Sequence, residues 1–309
     1  MGTHYTISCK INKKNISVHS RSLAVKRKPE WLRVKFTVGE NFKDIRSIVH
    51  KYHLHTVCEE ARCPNQSECW ERRAATLMIL GDTCTRNCQF CAVNSGNPSP
   101  IDKDEPKNVG HAVKLMGLKY CVVTSVTRDD LNDGGSEIWA ETISEIKRQN
   151  PDCKVEVLIP DFKGNNDALE IVLNAKPDIM GHNLETVKEL YPVARPQANY
   201  EQSLRVLLEV KKRAAITKTG IMVGLGETKE QVLELMQDAR SVDCDIFTAG
   251  QYLQPTKNHL PIHRYVYPDE FEFYKTEGIR LGFRAVMSGP LVRSSYHADE
   301  QMYPLTLST

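Results

Sequence analysis

From residue 76 onward the chain alternates short apolar runs with amphipathic stretches. The runs Thr76–Leu80, Tyr120–Thr124, Lys154–Ile159, Ile179–His182, Gly220–Val223 and Ile246–Ala249 read as buried strands. Between them, helical patterns fall near 105–117, 136–149, 166–175, 184–191, 200–214 and 228–240. In the stretch from Tyr200, Leu204, Leu207, Leu208 and Ala215 are expected on one face, with charges opposite. Thr228, ahead of Glu230 and Gln231, predicts an N-terminal cap. Six strand–helix units in succession predict an α/β fold, a partial (β/α)6 barrel of parallel strands with right-handed crossovers. No long Gly/Ser or Pro-rich linker breaks the pattern. The expected division is a basic arm over 1–28, an N-terminal extension over 29–75, the barrel over 76–255, and a C-terminal extension over 256–309 that closes it.

Composition changes this picture little. A length of 309 residues suits one α/β barrel with extensions. A net charge of +2 argues against a general nucleic-acid binder, and no apolar run approaches the ~18 residues needed to span a membrane. The charge is uneven, however. Residues 1–28 hold seven basic side chains (Lys10, Lys13, Lys14, Arg21, Lys26, Arg27 and Lys28) and no acidic one. Rich in Ser and Asn, with little apolar periodicity, this segment reads as a mobile arm suited to attracting an acidic protein partner. No apolar signal segment is seen, so the expected location is cytoplasmic; a transit remnant directing the chain to an organelle matrix is the other reading of the arm.

The cysteines carry the chemistry. Six of the ten form two triplets 14 residues apart: Cys58, Cys63 and Cys69 (C-x4-C-x5-C), then Cys84, Cys88 and Cys91 (C-x3-C-x2-C). Structural zinc sites and electron-transfer clusters close their coordination with four protein ligands. Three thiolates leave one iron of a four-iron cube open, and an open position is where chemistry occurs. The unequal spacings favour two iron–sulfur clusters over zinc, which prefers paired C-x2-C arms, and the lack of a signal segment disfavours disulfides. Zinc stays open as the competing reading. Cys9, Cys121, Cys153 and Cys244 are scattered and are expected to be packing thiols. The second triplet follows the first strand directly, through Gly81-Asp82-Thr83, which puts it at the functional mouth of a parallel βα fold.

Strand, triplet and six βα units together resemble the radical S-adenosylmethionine superfamily, whose signature is C-x3-C-x-aromatic-C; Phe90 fills the aromatic position. The resemblance implies that the open iron chelates the amino and carboxylate groups of S-adenosylmethionine. An electron passed through that cluster then yields a 5′-deoxyadenosyl radical. The first triplet, Cys58-Glu-Glu-Ala-Arg-Cys63-Pro-Asn-Gln-Ser-Glu-Cys69-Trp, is similar to the auxiliary-cluster motif of the lipoyl synthase family. Arg293-Ser294-Ser295-Tyr296-His297-Ala298 matches that family's second hallmark, and Lys28-Pro-Glu-Trp31-Leu, His182-Asn-Leu-Glu-Thr and Gly250-Gln-Tyr-Leu-Gln-Pro-Thr agree. This likeness covers roughly 28–300. It implies two [4Fe–4S] clusters and sulfur insertion at C6 and C8 of an octanoyl-lysine on a lipoyl carrier protein. It also implies a serine ligand to the auxiliary cluster, placed at Ser295 with Ser294 second; a turn cap is the ordinary alternative for both.

Further site residues are expected around the cofactor. Gly134 and Gly135 would let backbone N–H groups approach its methionyl end, an ordinary Gly-Gly turn being the alternative. Asn183 and Glu185 would bind ribose hydroxyls, and Arg195 would meet the cofactor carboxylate. The partners expected are octanoylated acyltransferase domains of 2-oxoacid dehydrogenases, the glycine-cleavage carrier, a ferredoxin- or flavodoxin-type electron donor, and an iron–sulfur carrier. Two other classes compete. One is a biotin-synthase-like enzyme or methylthiotransferase, which would bring different auxiliary ligands. The other is a non-enzymatic iron–sulfur or zinc adaptor, which would need four cysteines per site and no barrel.

Overall fold

The computed structural model describes residues 27–34, 38–213, 215–298 and 300. Among these residues ten strands occur in chain order: β1 (His55–Thr56), β2 (Thr76–Ile79), β3 (Thr83–Cys84), β4 (Asn94–Ser95), β5 (Tyr120–Ser125), β6 (Lys154–Leu158), β7 (Ile179–Gly181), β8 (Thr217–Val223), β9 (Ile246–Gln251) and β10 (Ala285–Gly289). Eight of them make one sheet in the order β1-β2-β5-β6-β7-β8-β9-β10. All its pairings are parallel except β1 with β2. The sheet is thus an open barrel wound in sequence order, as right-handed crossovers require.

Each of the six expected strands is present, within a few residues of its expected bounds. The expected boundary at 255 is not the end of the sheet. Helix Pro268–Arg280 and strand β10 add a seventh parallel strand, with Ala285 opposite Ile246 and Gly289 opposite Gly250. Its Ala-Val-Met-Ser-Gly sequence carries too weak a β pattern to stand out.

Two helical expectations need correction. Residues 184–191 form no continuous helix. The Glu185 N–H donates to Gly220 O, Glu185 O accepts from Met222 N–H, and Glu185 takes φ +67, so the chain stays bound to β8. Only the turns Lys188–Leu190 and Tyr191–Ala194 follow. In Tyr200–Lys212 the buried face is Tyr200, Ser203, Val206, Leu207 and Val210, while Leu204 and Leu208 are half-buried and Ala215 lies past the helix end. The Thr228 cap is present as a full capping box with Gln231.

The helices cover the sheet in two apolar clusters. One is built around Trp70, Leu77, Trp139 and Val157, the other around Leu207, Phe247, Phe271 and Tyr274. Cys121, Cys153 and Cys244 are buried as packing thiols; Cys9 and most of the expected basic arm lie outside the described residues.

Inside the barrel, Lys218 donates to Glu156 at 2.7 Å, both side chains being 2% exposed, and the Tyr120 hydroxyl completes the carboxylate's bonding. Lys218→Met leaves a buried carboxylate without its cation. It is expected to cost ~3–5 kcal/mol in denaturant unfolding, most of it recovered in the Lys218→Met/Glu156→Leu double variant.

Gly250 on β9 is where the C-terminal segment crosses the barrel mouth. A Cβ there would lie 1.9 Å from Val292 O, so only glycine admits the crossing.

Candidate active site

At the carboxyl ends of the strands lies a cavity of about 530 Å³. Five of the six triplet cysteines line it: Cys58, Cys63, Cys84, Cys88 and Cys91. Cys69, on helix Gln66–Glu71, is not on the lining; burial, with Cys58 and Cys63 nearby, raises its thiol well above the usual range. Ser294 and Ser295 reach the same cavity from the C-terminal segment. Residues some 230 apart in sequence thus share one chamber.

The second triplet sits on a loop held from all sides. Strands β3 and β4 pair to form its base, and the Gly96 N–H donates to Cys84 O. The Gln89 N–H donates to Ala194 O, the Asn87 N–H to Gln197 Oε1, and His259 Nε2 lies 2.8 Å from Cys91 O. Arg86, inside the motif, is buried and forked onto Asp129 and Asp161, with four hydrogen bonds of 2.7–3.0 Å. Burial opposes ionisation of Asp161, but the hydrogen bonds and charge of Arg86 outweigh it and hold the carboxyl at about 2. Reading the sequence for ligands missed Arg86; its place between Cys84 and Cys88 was the available signal.

The donor set suits cationic clusters. All the described cysteines are free thiols. Burial, with Cys63 beside it, pushes Cys58 up to about 12; burial also pushes Cys91 to about 12 against a backbone hydrogen bond from Val93. Cys88 is raised by burial, with Arg195 opposing. Thiolates clustered there need a positive core to remain ionised, which an iron–sulfur cube supplies. Cys84 Sγ already accepts from the backbone N–H groups of Arg86 (3.4 Å) and Thr127 (3.3 Å). Among the described residues, no group of three or more His, Cys, Asp or Glu is arranged to hold a single metal ion.

Around the same cavity, several buried polar atoms lack a partner: Ser125 Oγ, His182 Nε2, Asn183 Oδ1 and Arg195 Nε. Such atoms are costly unless a ligand satisfies them. Burial, with Arg195 nearby, lowers His182 to about 4, so the ring is neutral; Nδ1 donates to Ile159 O at 2.9 Å and Nε2 is left as an acceptor. Asn183 Nδ2 donates to Glu185 Oε1 (3.0 Å) and Ser294 Oγ (2.8 Å). Arg195 donates to Asn183 O and lies over the Tyr191 ring.

Phe90, Asn183, Glu185 and Arg195 all line this cavity, but Gly134 and Gly135 do not. A Cβ on Gly134 would strike the Phe162 ring at 2.9 Å, and one on Gly135 the Leu80 side chain at 2.5 Å. These glycines serve close packing at the start of helix Ser136–Gln149, and Thr124–Thr127 of the same loop line the cavity instead. Lys28, assigned above to the basic arm, also lines it. Its ammonium is held below the usual lysine range by burial and by Arg293.

The fold is shared with solved structures at low sequence identity. Streptococcus suis SuiB bound to S-adenosylmethionine aligns with a TM-score of 0.57 at 10% identity, over 72% of this chain and 53% of that one. The hydrogenase maturase HydG aligns at 0.55 and 16%, over 78% and 62%. A model of the radical SAM superfamily matches residues 78–239, the strand–triplet–βα region just described, and the chain belongs to that superfamily. Residues 7–63 match the N-terminal domain of lipoyl synthase. A lipoyl synthase of Koribacter versatilis is 54% identical over 276 residues, 89% of this chain and 91% of that protein. A mitochondrial lipoyl synthase of Nematostella vectensis is 50% identical over 277 residues, 89% and 95%. The chain belongs to the lipoyl synthase family. Its function is sulfur insertion into an octanoyl group on a lipoyl carrier protein, with S-adenosylmethionine and [4Fe–4S] clusters as cofactors. No helix among the described residues is long and apolar enough to cross a membrane.

Proposed function

We propose that Cys84, Cys88 and Cys91 hold the cluster that takes S-adenosylmethionine, while Cys58, Cys63, Cys69 and Ser295 hold the auxiliary cluster that gives up sulfur. The observation that carries this reading is the single cavity faced by five of those thiols and by Ser295. When bound, the first cluster and S-adenosylmethionine supply a 5′-deoxyadenosyl radical able to abstract hydrogen from an unactivated methylene, and the auxiliary cluster supplies sulfide.

The protein's part is positioning and exclusion of water. Arg195 meets the cofactor carboxylate with its unpartnered Nε, and Asn183 and Glu185 take ribose hydroxyls. Phe90 packs beside the cofactor, and the backbone of 124–127, rather than Gly134 and Gly135, faces its methionyl end. Met78, Val126, Leu158 and Ile221, which line the same cavity, offer apolar surface for the octanoyl chain.

Ser295 is favoured over Ser294 as the oxygen ligand. Its hydroxyl has no hydrogen-bond partner among the described residues, whereas Ser294 Oγ accepts from Asn183. Oxygen is a hard donor in a soft sulfur environment, so it makes one weaker corner on a cluster meant to be consumed.

Free thiols fit the reducing cytoplasm, where the substrates are octanoylated dehydrogenase acyltransferase domains or the glycine-cleavage carrier. A ferredoxin or flavodoxin delivers the electrons, and an iron–sulfur carrier restores the auxiliary cluster.

Reconstituted protein given reductant, S-adenosylmethionine and an octanoyl-lysyl carrier peptide should add two sulfurs to the peptide, read by mass. Ser295→Cys should keep both clusters and cleave S-adenosylmethionine but transfer sulfur poorly, and Ser295→Ala should lose the auxiliary cluster readily. Lipoyl formation at the parent level by both variants would transfer the role to Ser294.

A further inference from the structure

Outside the cavity, the helix that carries Cys69 holds the C-terminal segment through side chains with no part in the chemistry described above. Glu68, one residue before Cys69, accepts from the Tyr296 hydroxyl at 3.0 Å, and its Oε1 lies 3.1 Å from His297 Nε2. Arg72, three residues after Cys69, pairs with Glu300 at 2.7 Å, and its Nη1 lies 2.7 Å from His297 Nδ1. His297 is also 2.8 Å from Glu300, and its ring packs on Tyr296 at 4.1 Å. Further in, Asn65 Nδ2 donates to Leu291 O at 2.7 Å. These contacts join residues 225–229 apart in sequence. They tie the segment down on both sides of Ser294 and Ser295, which face the cavity between the ties.

The character of the ties suggests their purpose. The side chains of Arg72, Glu68 and Glu300 are 38%, 39% and 47% exposed, and among the described residues after Gly289 the buried apolar side chains are Val292 and Ala298. Exposed ion pairs fix a geometry while contributing little stability one by one. A segment held this way can detach without disturbing the apolar clusters that hold the barrel. His297 itself sits at φ +52, a left-handed conformation that a non-glycine residue adopts at some cost and that these partners maintain.

We propose that Glu68 and Arg72 form a catch. They are positioning residues that hold the serine-bearing segment against the auxiliary triplet, and their release exposes that site so that a consumed cluster can be replaced. The proposal rests on the reading that a serine of this segment ligates the auxiliary cluster. It adds which side chains hold that segment in place and how the site is reopened.

The test uses the full-length, cluster-loaded protein with Cys84, Cys88 and Cys91 replaced by Ala, so that all bound iron is at the auxiliary site. Two quantities are followed: hydrogen exchange of the 290–298 backbone and removal of iron by a chelator. Arg72→Ala and Glu68→Gln should each speed exchange in 290–298 by about two- to fivefold, leave exchange in β5–β9 unchanged, and hasten iron removal to a similar extent. Arg72→Lys, which keeps the charge facing Glu300, should restore most of both. Unchanged exchange in 290–298, or acceleration spread over the whole barrel, would overturn the catch. Ser294→Ala and Ser295→Ala in the same assay isolate the underlying reading. If neither hastens iron removal, serine ligation fails, while the exchange result still decides the catch.

Discussion

Replacing Cys84, Cys88 and Cys91 together by Ala should abolish S-adenosylmethionine cleavage, because the electron then has no route to the sulfonium. The parent protein should bind about eight iron atoms and this variant about four. The opposite variant, with Cys58, Cys63 and Cys69 replaced, should also bind about four iron atoms, yet still form 5′-deoxyadenosine in the presence of reductant. It should form no lipoyl product at all. The asymmetry follows from which residues each variant removes. The unpartnered polar atoms of Ser125, His182, Asn183 and Arg195 come from strands and loops outside the first triplet, so these binding groups survive its loss. Iron, acid-labile sulfide and nucleoside analysis of anaerobically prepared protein measure all of this. Lipoyl product from the variant lacking the first triplet would show that the sulfur comes from elsewhere.

The second large effect concerns the sulfur atoms. When the auxiliary cluster is rebuilt with heavy sulfide, both sulfurs of the first lipoyl group formed should carry the label. Turnover should then stall near one per chain unless a rebuilding system is present. The structure supports this expectation through placement. Cys58 and Cys63 share the chamber with Cys84, Cys88 and Cys91, so on the proposed assignment a substrate carbon activated there would meet the sulfur source without leaving the cavity. Mass spectrometry of the carrier peptide after one turnover decides it. Unlabelled product, or many turnovers without resupply, would rule out a consumed cluster.

Much of this was legible in the sequence because it is written locally. Apolar runs of strand length and the Thr228 capping box depend on neighbours within a few residues, and those elements formed as read. Where a local pattern competed with a distant partner, the partner prevailed. The stretch 184–191 has helical spacing, but Glu185 is held in the ladder by Gly220 and Met222, which satisfy backbone groups that a helix would have had to bond internally. Gly134 and Gly135 look like a ligand-cradling pair, yet what fills the space beside them is Phe162 and Leu80, and only packing reveals that. Lys28 looked like part of a solvated arm because charge composition carries no information about where the chain turns back.

By itself the sequence determined the order of the first six parallel strands, the two cysteine triplets and their unequal spacing, and the serine pair near the C-terminus. Spacing along a strand or loop fixes which side chains leave the backbone together, and metal-binding chemistry is largely a matter of that spacing. The tertiary structure alone decided that the two triplets face one cavity, that Gly250 lets Val292 cross the barrel mouth, and that Arg86 pins its loop between Asp129 and Asp161. It alone decided too that Glu68 and Arg72 meet Tyr296, His297 and Glu300. These are contacts between residues tens to hundreds of positions apart. No local pattern encodes them, because they exist only once the sheet has curled and brought its carboxyl ends to one mouth.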